Sequence, residues 1–314
     1  MIPRVRARIL DAAGIDEPEL REAYEACRRL HAAYGRTYYL ASLLLPPAKR
    51  PYIWALYGFA RRADELVDAT AEPDPQELAG LADLFWRAMA GEPTTDPVIR
   101  AMVHTMQRWR IPRSHVEAFF ESMQQDLTVA RYPRYVDLEK YMYGSAAVIG
   151  LQMLPVLEPV GPQAAPRARA LGQAFQMTNF IRDVGEDLRD RGRIYLPQED
   201  LDVFGVQEAD LAAGVVTRPI RHLLEFEIER TRALYTFAEP GIEMLHPTSR
   251  DCIRTAFTLY GGILDEIERN GYQVLTRRIA VPLGHRLAVA LPALRHARAV
   301  RRDQSRWVDT GTAG

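Results

Sequence analysis

Several common signals are missing from this 314-residue chain, and each absence removes a class of protein. Cysteine is scarce. Cys27 and Cys252 stand far apart with no ligand spacing around them, which excludes a thiolate metal finger and leaves no need for a disulfide. A basic excess is missing too: 40 Lys and Arg against 41 Asp and Glu leave a formal charge of −1. A chain without surplus positive charge is not built to neutralise a phosphate backbone, so nucleic acid is not an expected partner. No run of eighteen apolar residues exists to span a bilayer, and Met1-Ile-Pro-Arg-Val-Arg is not followed by the apolar stretch of an export signal. A soluble protein of a reducing cytoplasm is the expectation. Hairpin signals and alternating strands are absent, as is a glycine-rich dinucleotide fingerprint, so NADPH is not expected as a cofactor.

What is present is helix. Segments of about 12 to 25 residues with 3.6-residue apolar periodicity alternate with breaks. The breaks fall at Glu72-Pro-Asp-Pro75, Gly91-Glu-Pro, Arg110-Ile-Pro, Tyr132-Pro, 159–166, 214–219 and His246-Pro. One pattern runs from Glu17 through Leu20, Tyr24, Cys27 and Leu30–His31. A longer one opens at Pro46-Pro47 and reaches Ala69. Because the breaks are evenly spread and none resembles a linker, the reading is a single all-α domain over residues 1–314. Residues 1–15 carry weak signals and read as loose, as does the polar tail 303–314.

The most informative stretch is Gln176-Met-Thr-Asn-Phe-Ile-Arg-Asp-Val-Gly-Glu-Asp187. Ala174, Met177, Ile181, Val184 and Leu188 recur at three- and four-residue steps, so it is helical. Asn179, Asp183 and Asp187 then fall on one line at i, i+4 and i+8. Carboxylates one turn apart repel unless a cation lies between them. A hard divalent cation removes that conflict, because Mg²⁺ takes oxygen ligands and keeps several waters, leaving room for phosphate. Arg61-Arg-Ala-Asp-Glu-Leu-Val-Asp68 repeats the idea with Asp64 and Asp68. In both stretches an arginine, Arg61 or Arg182, precedes the first aspartate. Two such helices facing each other across a cavity would hold magnesium ions, with the arginines gripping phosphate oxygens.

Five pieces occur in order: Tyr34-Gly-Arg-Thr-Tyr-Tyr-Leu-Ala-Ser-Leu-Leu-Leu-Pro-Pro47, Trp54 to Asp68, Tyr141-Met-Tyr-Gly144, Gln176 to Asp187, and Gly192-Arg-Ile-Tyr-Leu-Pro197. With these the chain resembles the squalene and phytoene synthase family, and within it the bacterial phytoene synthases, from about residue 25 to about 300. The resemblance implies a helical isoprenoid-synthase bundle with a central cavity. It also implies head-to-head coupling of two allylic prenyl diphosphates through a cyclopropyl diphosphate. Mg²⁺, with Mn²⁺ as a substitute, would sit on Asp64, Asp68, Asn179, Asp183 and Asp187. Arg61, Arg182, Tyr57 and Tyr260 would serve the chemistry. Arg36, Thr37, Tyr38, Tyr141, Gln176 and Arg277 would bind substrate, with Arg36-Thr-Tyr-Tyr39 as the flap that closes the site. Arg277 adjoins Arg278, so the register there admits either residue.

Two departures from the family pattern stand out: Gly35 replaces a common serine, and Glu65 replaces the second aspartate of the usual acidic motif. The reductive, squalene-forming branch uses NADPH. With no dinucleotide fingerprint in the chain, the branch ending in proton loss is expected: two geranylgeranyl diphosphates giving phytoene. The alternatives are a C30 synthase acting on farnesyl diphosphate and a non-catalytic helical scaffold. A carboxylate-bridged di-iron bundle needs two Glu-x-x-His pairs, and only Glu243-Met-Leu-His246 fits.

Two further features admit two readings each. The small residues Gly144, Ala147 and Gly150 could let helices pack closely, or could leave space for a prenyl tail beside Met142, Ile149 and Met153. The helix over 283–302, with Arg286, Arg295, Arg298, Arg301 and Arg302, could be a solvated basic face or a peripheral contact with anionic lipid.

Overall fold

A computed structural model describes residues 4–68 and 74–311, and among these every named element is helical. The first part of the chain forms α1 (Arg4–Ala12), α2 (Pro18–Tyr34), α3 (Arg36–Ser42), α4 (Arg50–Asp68), α5 (Pro75–Met89), α6 (Pro97–Trp109), α7 (Arg113–Asp126) and α8 (Tyr135–Met142). A π-helical turn, Tyr143–Ala147, leads into α9 (Val148–Leu157) and the long α10 (Ala164–Arg191). Then come α11 (Gln198–Phe204), α12 (Glu208–Ala212), α13 (Arg218–Ala238), a 3-10 turn at Glu239–Ile242, α14 (Pro247–Arg269) and α15 (Leu283–Gly311).

The sequence explains most of these boundaries. Prolines occupy the first turn of α2, α5, α6, α13 and α14, where a missing N–H costs nothing. Asp74 and Asp96 cap α5 and α6 through their side chains. Gly192, at φ +63°, ends α10 in the left-handed conformation that glycine adopts freely. The helix expected to open at Pro46 begins instead at Arg50, because Pro46–Lys49 closes a turn with Lys49 N–H on the Pro46 carbonyl at 3.0 Å. The expected end at Ala69, and the Glu72–Pro73 part of the first break, lie outside the described residues.

The N-terminal segment read as loose forms α1, and Leu10 and Ile15 are fully buried in the core. Likewise α15 continues through the tail from Asp303 to Gly311; residues 312–314 lie outside the description. One large apolar cluster is built mainly from α1–α7 and α9, and a second from α10 to α14 with the segment that follows. α4 and α10 stand on opposite sides of the space between them. Trp54, Phe59, Ala63 and Val67 turn one face of α4 into the first core, and Ala174, Ile181 and Val184 turn one face of α10 into the second. Their other faces are left to the cavity.

Small residues set the helix spacing around that cavity. A Cβ on Gly144 would lie 2.0 Å from the Ala118 carbonyl oxygen, and one on Gly150 2.6 Å from that of Ala168. Gly144 therefore permits contact with α7 and adds no space for a ligand. Ala147 is fully buried away from the cavity, as is Met142. The π turn, one residue wider per turn than an α-helix, directs Ser145 and Ala146 to the cavity, joined by Ile149, Gly150 and Met153. The expected strip thus divides between packing and lining.

Candidate active site

On α4, Tyr57, Arg61, Asp64 and Asp68 follow one another at steps of four, three and four, so they share a face. On α10, Gln176, Asn179, Asp183 and Asp187 do the same at steps of three, four and four. The structure brings the two faces together through arginines. Arg191 lies 3.5 Å from Asp68 and 2.8 Å from Asp187, bridging the helices. Arg193, just past Gly192, donates to Asp68 at 2.7 Å and to the Asp126 carbonyl at 2.6 Å. Arg61 pairs with Asp64 at 2.8 Å and with Glu65 at 3.1 Å, and its guanidinium lies over the Tyr34 ring. Asp183 is gripped from two sides, by Arg182 Nε at 2.7 Å and by Arg278 at 3.1 Å.

Burial and crowding leave their mark on these acids. Asp64 is pushed up to about 6, first by burial and then by Asp68, against the opposing pull of Arg61 and Arg191. Asp187 rises to about 7, by burial and then by Asp183. Asp64 lies within the site and yet keeps 44% of its side chain exposed.

Among the described residues no three acidic, histidine or cysteine side chains cluster closely enough to enclose one ion. Mg²⁺ does not require such a cage, since it is commonly bound by one or two carboxylates, waters and substrate phosphate. The donor set suits that mode. The Oδ1 of Asn179 is buried without a hydrogen-bond partner, an oxygen acceptor on the same stripe as Asp183 and Asp187. Asp64 and Asp187 are carboxylates that a cation would help to ionise.

Beyond the ionic end lies an apolar cavity of about 280 Å³. Ala164, Ala168, Leu171, Gly172, Phe175, Gln176 and Asn179 of α10 line its length. Fifteen residue steps at about 1.5 Å make a run of roughly 22 Å along that helix. Tyr38, His31, Tyr57, Gln176 and Asn179 mark one end, while Leu157, Ala164, Arg167, Ile242 and Leu245 line the other. Near the ionic end the Tyr38 ring stacks on Tyr260 at 4.6 Å, with Phe175 tilted against Tyr260 at 4.7 Å.

Other expected residues lie elsewhere. Tyr141 is buried off the cavity, its hydroxyl donating to Asp126 at 2.8 Å in a cluster with Tyr132, Phe180 and Tyr195. Asp126 also accepts from Tyr195 at 3.1 Å and rises to about 7, chiefly through burial. Tyr141 therefore supports the Asp126–Arg193–Asp68 connection from behind. Arg277 turns to Asn270 at 2.9 Å, and its neighbour Arg278 makes the contact with Asp183, correcting the register by one. Arg36 is exposed, and neither it nor Thr37 lines the cavity, whereas Tyr38 from the same turn does. The sequence reading missed Arg191, Arg193, Asp126 and Tyr195. Their roles arise from contacts between distant parts of the chain, 125 positions apart for Arg193 and Asp68, and the Gly192-Arg-Ile-Tyr piece was the only local sign of Arg193 and Tyr195. The Glu243–His246 pair is dispersed as its pattern suggested: Glu243 holds Arg250 and Arg254, and His246 caps α14.

Residues 31–285 match the family model for squalene/phytoene synthase. A phytoene synthase of Arthrospira platensis is 41% identical over 276 residues, covering 83% of this chain and 89% of that protein. A 15-cis-phytoene synthase of Synechocystis is 41% identical over 282 residues, covering 85% of this chain and 83% of that one. Among solved structures, a dehydrosqualene synthase superposes with a TM-score of 0.81 at 26% identity, over 91% of this chain and 98% of the other. A squalene synthase from Alicyclobacillus acidocaldarius gives 0.75 at 30% identity, over 83% and 98%.

Proposed function

Because the chain belongs to the squalene/phytoene synthase family, we propose that it is a prenyltransferase of carotenoid biosynthesis, joining two geranylgeranyl diphosphates to phytoene through prephytoene diphosphate. The observation that carries the reading is the cavity itself: a long apolar channel along α10 that opens beside two facing rows of carboxylates and arginines.

Asp64, Asp68, Asn179, Asp183 and Asp187 are the residues that would hold Mg²⁺, or Mn²⁺ in its place. When bound, such ions neutralise the charge that builds on a departing diphosphate. Arg61, Arg182 and Arg278 offer forked donors to the remaining phosphate oxygens. The stacked faces of Tyr38 and Tyr260, with Phe175, lie where an allylic cation would be exposed, and aromatic faces attract positive charge. The apolar lining excludes water that would quench that cation. α3, which carries Tyr38, is the proposed flap.

The solved neighbours named as C30 synthases keep a farnesyl diphosphate reading in view. The 41% identical relatives named as phytoene synthases favour C40. Incubation with C15 and with C20 diphosphate plus Mg²⁺, followed by chromatography of the hydrocarbon, decides. Phytoene from the C20 substrate, unchanged by NADPH, is the expected result. A C30 hydrocarbon from C15 substrate alone, or a reduced product made only with NADPH, would move the chain to the other branch.

We also propose peripheral contact with the inner face of the cytoplasmic membrane. No helix among the described residues is long and apolar enough to cross a membrane. On α15, however, exposed Leu283, Leu287 and Leu291 continue along the same line into exposed Arg295 and Arg298. Arg301 takes no part, since it donates to the carbonyls of Leu44 and Leu45. Arg286 likewise donates to the Val281 carbonyl. Sedimentation with anionic vesicles, lost in Leu287→Glu with Leu291→Glu, checks this; equal sedimentation of that variant rejects it.

A further inference from the structure

His31, on α2, lies at the reacting end of the cavity and has no structural task that its ring nitrogens serve. The side chain is 1% exposed and lines the cavity, and neither Nδ1 nor Nε2 has a hydrogen-bond partner. Its ring stacks on Tyr57 at 4.3 Å and 17°, and meets the edge of Tyr39 at 5.4 Å. Tyr57 stands one turn before Arg61 and two turns before Asp64, so the stacked pair lies just below the ionic rows. The pair also accounts for Gly35: a Cβ there would come within 2.6 Å of the Tyr57 ring and 2.8 Å of the His31 ring. Buried polar groups are normally satisfied, and an aromatic hydrocarbon would stack here without leaving two nitrogens unpaired.

Resting on the phytoene-forming reading, we propose that His31 is a catalytic residue: it accepts the proton lost when the rearranged C40 cation becomes phytoene. Once prephytoene diphosphate has released diphosphate and its three-membered ring has opened, an allylic cation remains in the linked chain. A C–H bond beside the cationic carbon breaks, and its electron pair becomes the new C=C bond. The proton goes to the lone-pair nitrogen of the neutral imidazole, giving an imidazolium and an uncharged hydrocarbon. The released diphosphate or water then takes the proton as the product leaves. No oxidant or reductant is consumed.

The other polar groups of the cavity are poorly suited to this step. Tyr38 and Tyr57 are phenols that burial keeps protonated, and burial pushes the Cys252 thiol up to about 12. Arg167 is always charged. The carboxylates are committed to arginines at the ionic end. Burial drives His31 down to about 3, so it waits as the free base at neutral pH. A base that weak is adequate because a carbocation is a very strong acid.

The test uses the full chain with C20 diphosphate and Mg²⁺, and separates prephytoene diphosphate, phytoene and C40 alcohols by chromatography. His31→Phe keeps the stack and removes the base. We expect prephytoene diphosphate to form still, phytoene to fall at least about tenfold, and water-quenched alcohols to appear. A wild-type share of phytoene, or an equal loss of both half-reactions, overturns the assignment. Should His31→Phe not fold, His31→Ala with added imidazole decides: recovery of phytoene supports the assignment, and no recovery overturns it. Wild-type enzyme runs alongside, and its failure to make any C40 product would indict the substrate reading instead.

Discussion

Helices α4 and α10 present the same kind of row to the same space, yet the rows are held differently. On α4, Asp64 is paired from within its own helix by Arg61, and nearly half of its side chain is exposed. On α10, Asp183 is clamped between Arg182 and Arg278 and is only 13% exposed. The outer aspartates, Asp68 and Asp187, share Arg191. One row is open and the other enclosed, so a metal–diphosphate unit would approach from α4 and be completed by α10. α10 also continues as a wall of the apolar channel, and so joins the ionic chemistry to the length of the tail.

The severest way to test this comparison is to remove one lead aspartate at a time. Asp64→Asn and Asp183→Asn should each lower turnover by about 10² or more while circular dichroism stays native. If either keeps near-full rate at saturating Mg²⁺, the facing rows do not act together. The second test uses the far part of α10. Ala168→Phe should shorten the channel and reduce coupling of C20 substrate more than of C15 substrate. Each isoprene unit buries about four or five carbons at roughly 0.8 kcal/mol each. Equal losses in kcal/mol on both substrates, with a lowered Tm, would mean overpacking alone.

A third prediction follows from the raised acids. Burial and like-charge repulsion raise Asp64 to about 6 and Asp187 to about 7, above the ordinary 3.8. Without metal the folded chain therefore binds protons more tightly than the unfolded chain, and these groups lower stability as pH climbs from about 4 through about 7. A divalent cation carrying diphosphate binds the ionised pair, so the Tm increase on adding Mg²⁺ in the presence of diphosphate should be larger at pH 8 than at pH 5.5. An increase independent of pH would place the metal elsewhere. The mildest contrast is between neighbours: Arg278→Ala should weaken diphosphate binding severalfold, whereas Arg277→Ala should change stability by no more than about 0.5 kcal/mol and leave binding intact.

Much of this was legible in the residues. Three- and four-residue spacing placed Asn179, Asp183 and Asp187 on one line, and Pro and Gly marked most helix ends. The illegible parts have physical causes. A π turn has no compositional signature, so Gly144, Ala147 and Gly150 read as one strip although the extra residue in that turn separates them. Two adjacent arginines at 277 and 278 differ only in which way the backbone after α14 turns them. Arg191 and Arg193 meet Asp68 of α4, and Asp126 meets Arg193 and Tyr141 of α8, through tertiary packing, which local periodicity does not encode. His31 read as an apolar-stripe position, because its unpartnered nitrogens appear only when the surrounding helices are in place.

The most direct measurement is the melting temperature with Mg²⁺ and inorganic diphosphate, separately and together, for the wild type, Asp64→Asn and Asp183→Asn. Ligands that bind only the folded state stabilise it by mass action, so saturation should raise Tm by a few degrees. The account predicts that the wild type shows this rise only with both ligands present, and that each single substitution abolishes it. A full rise in either variant, or a rise with diphosphate alone, would contradict the claim that the two aspartate helices jointly hold a metal–diphosphate unit.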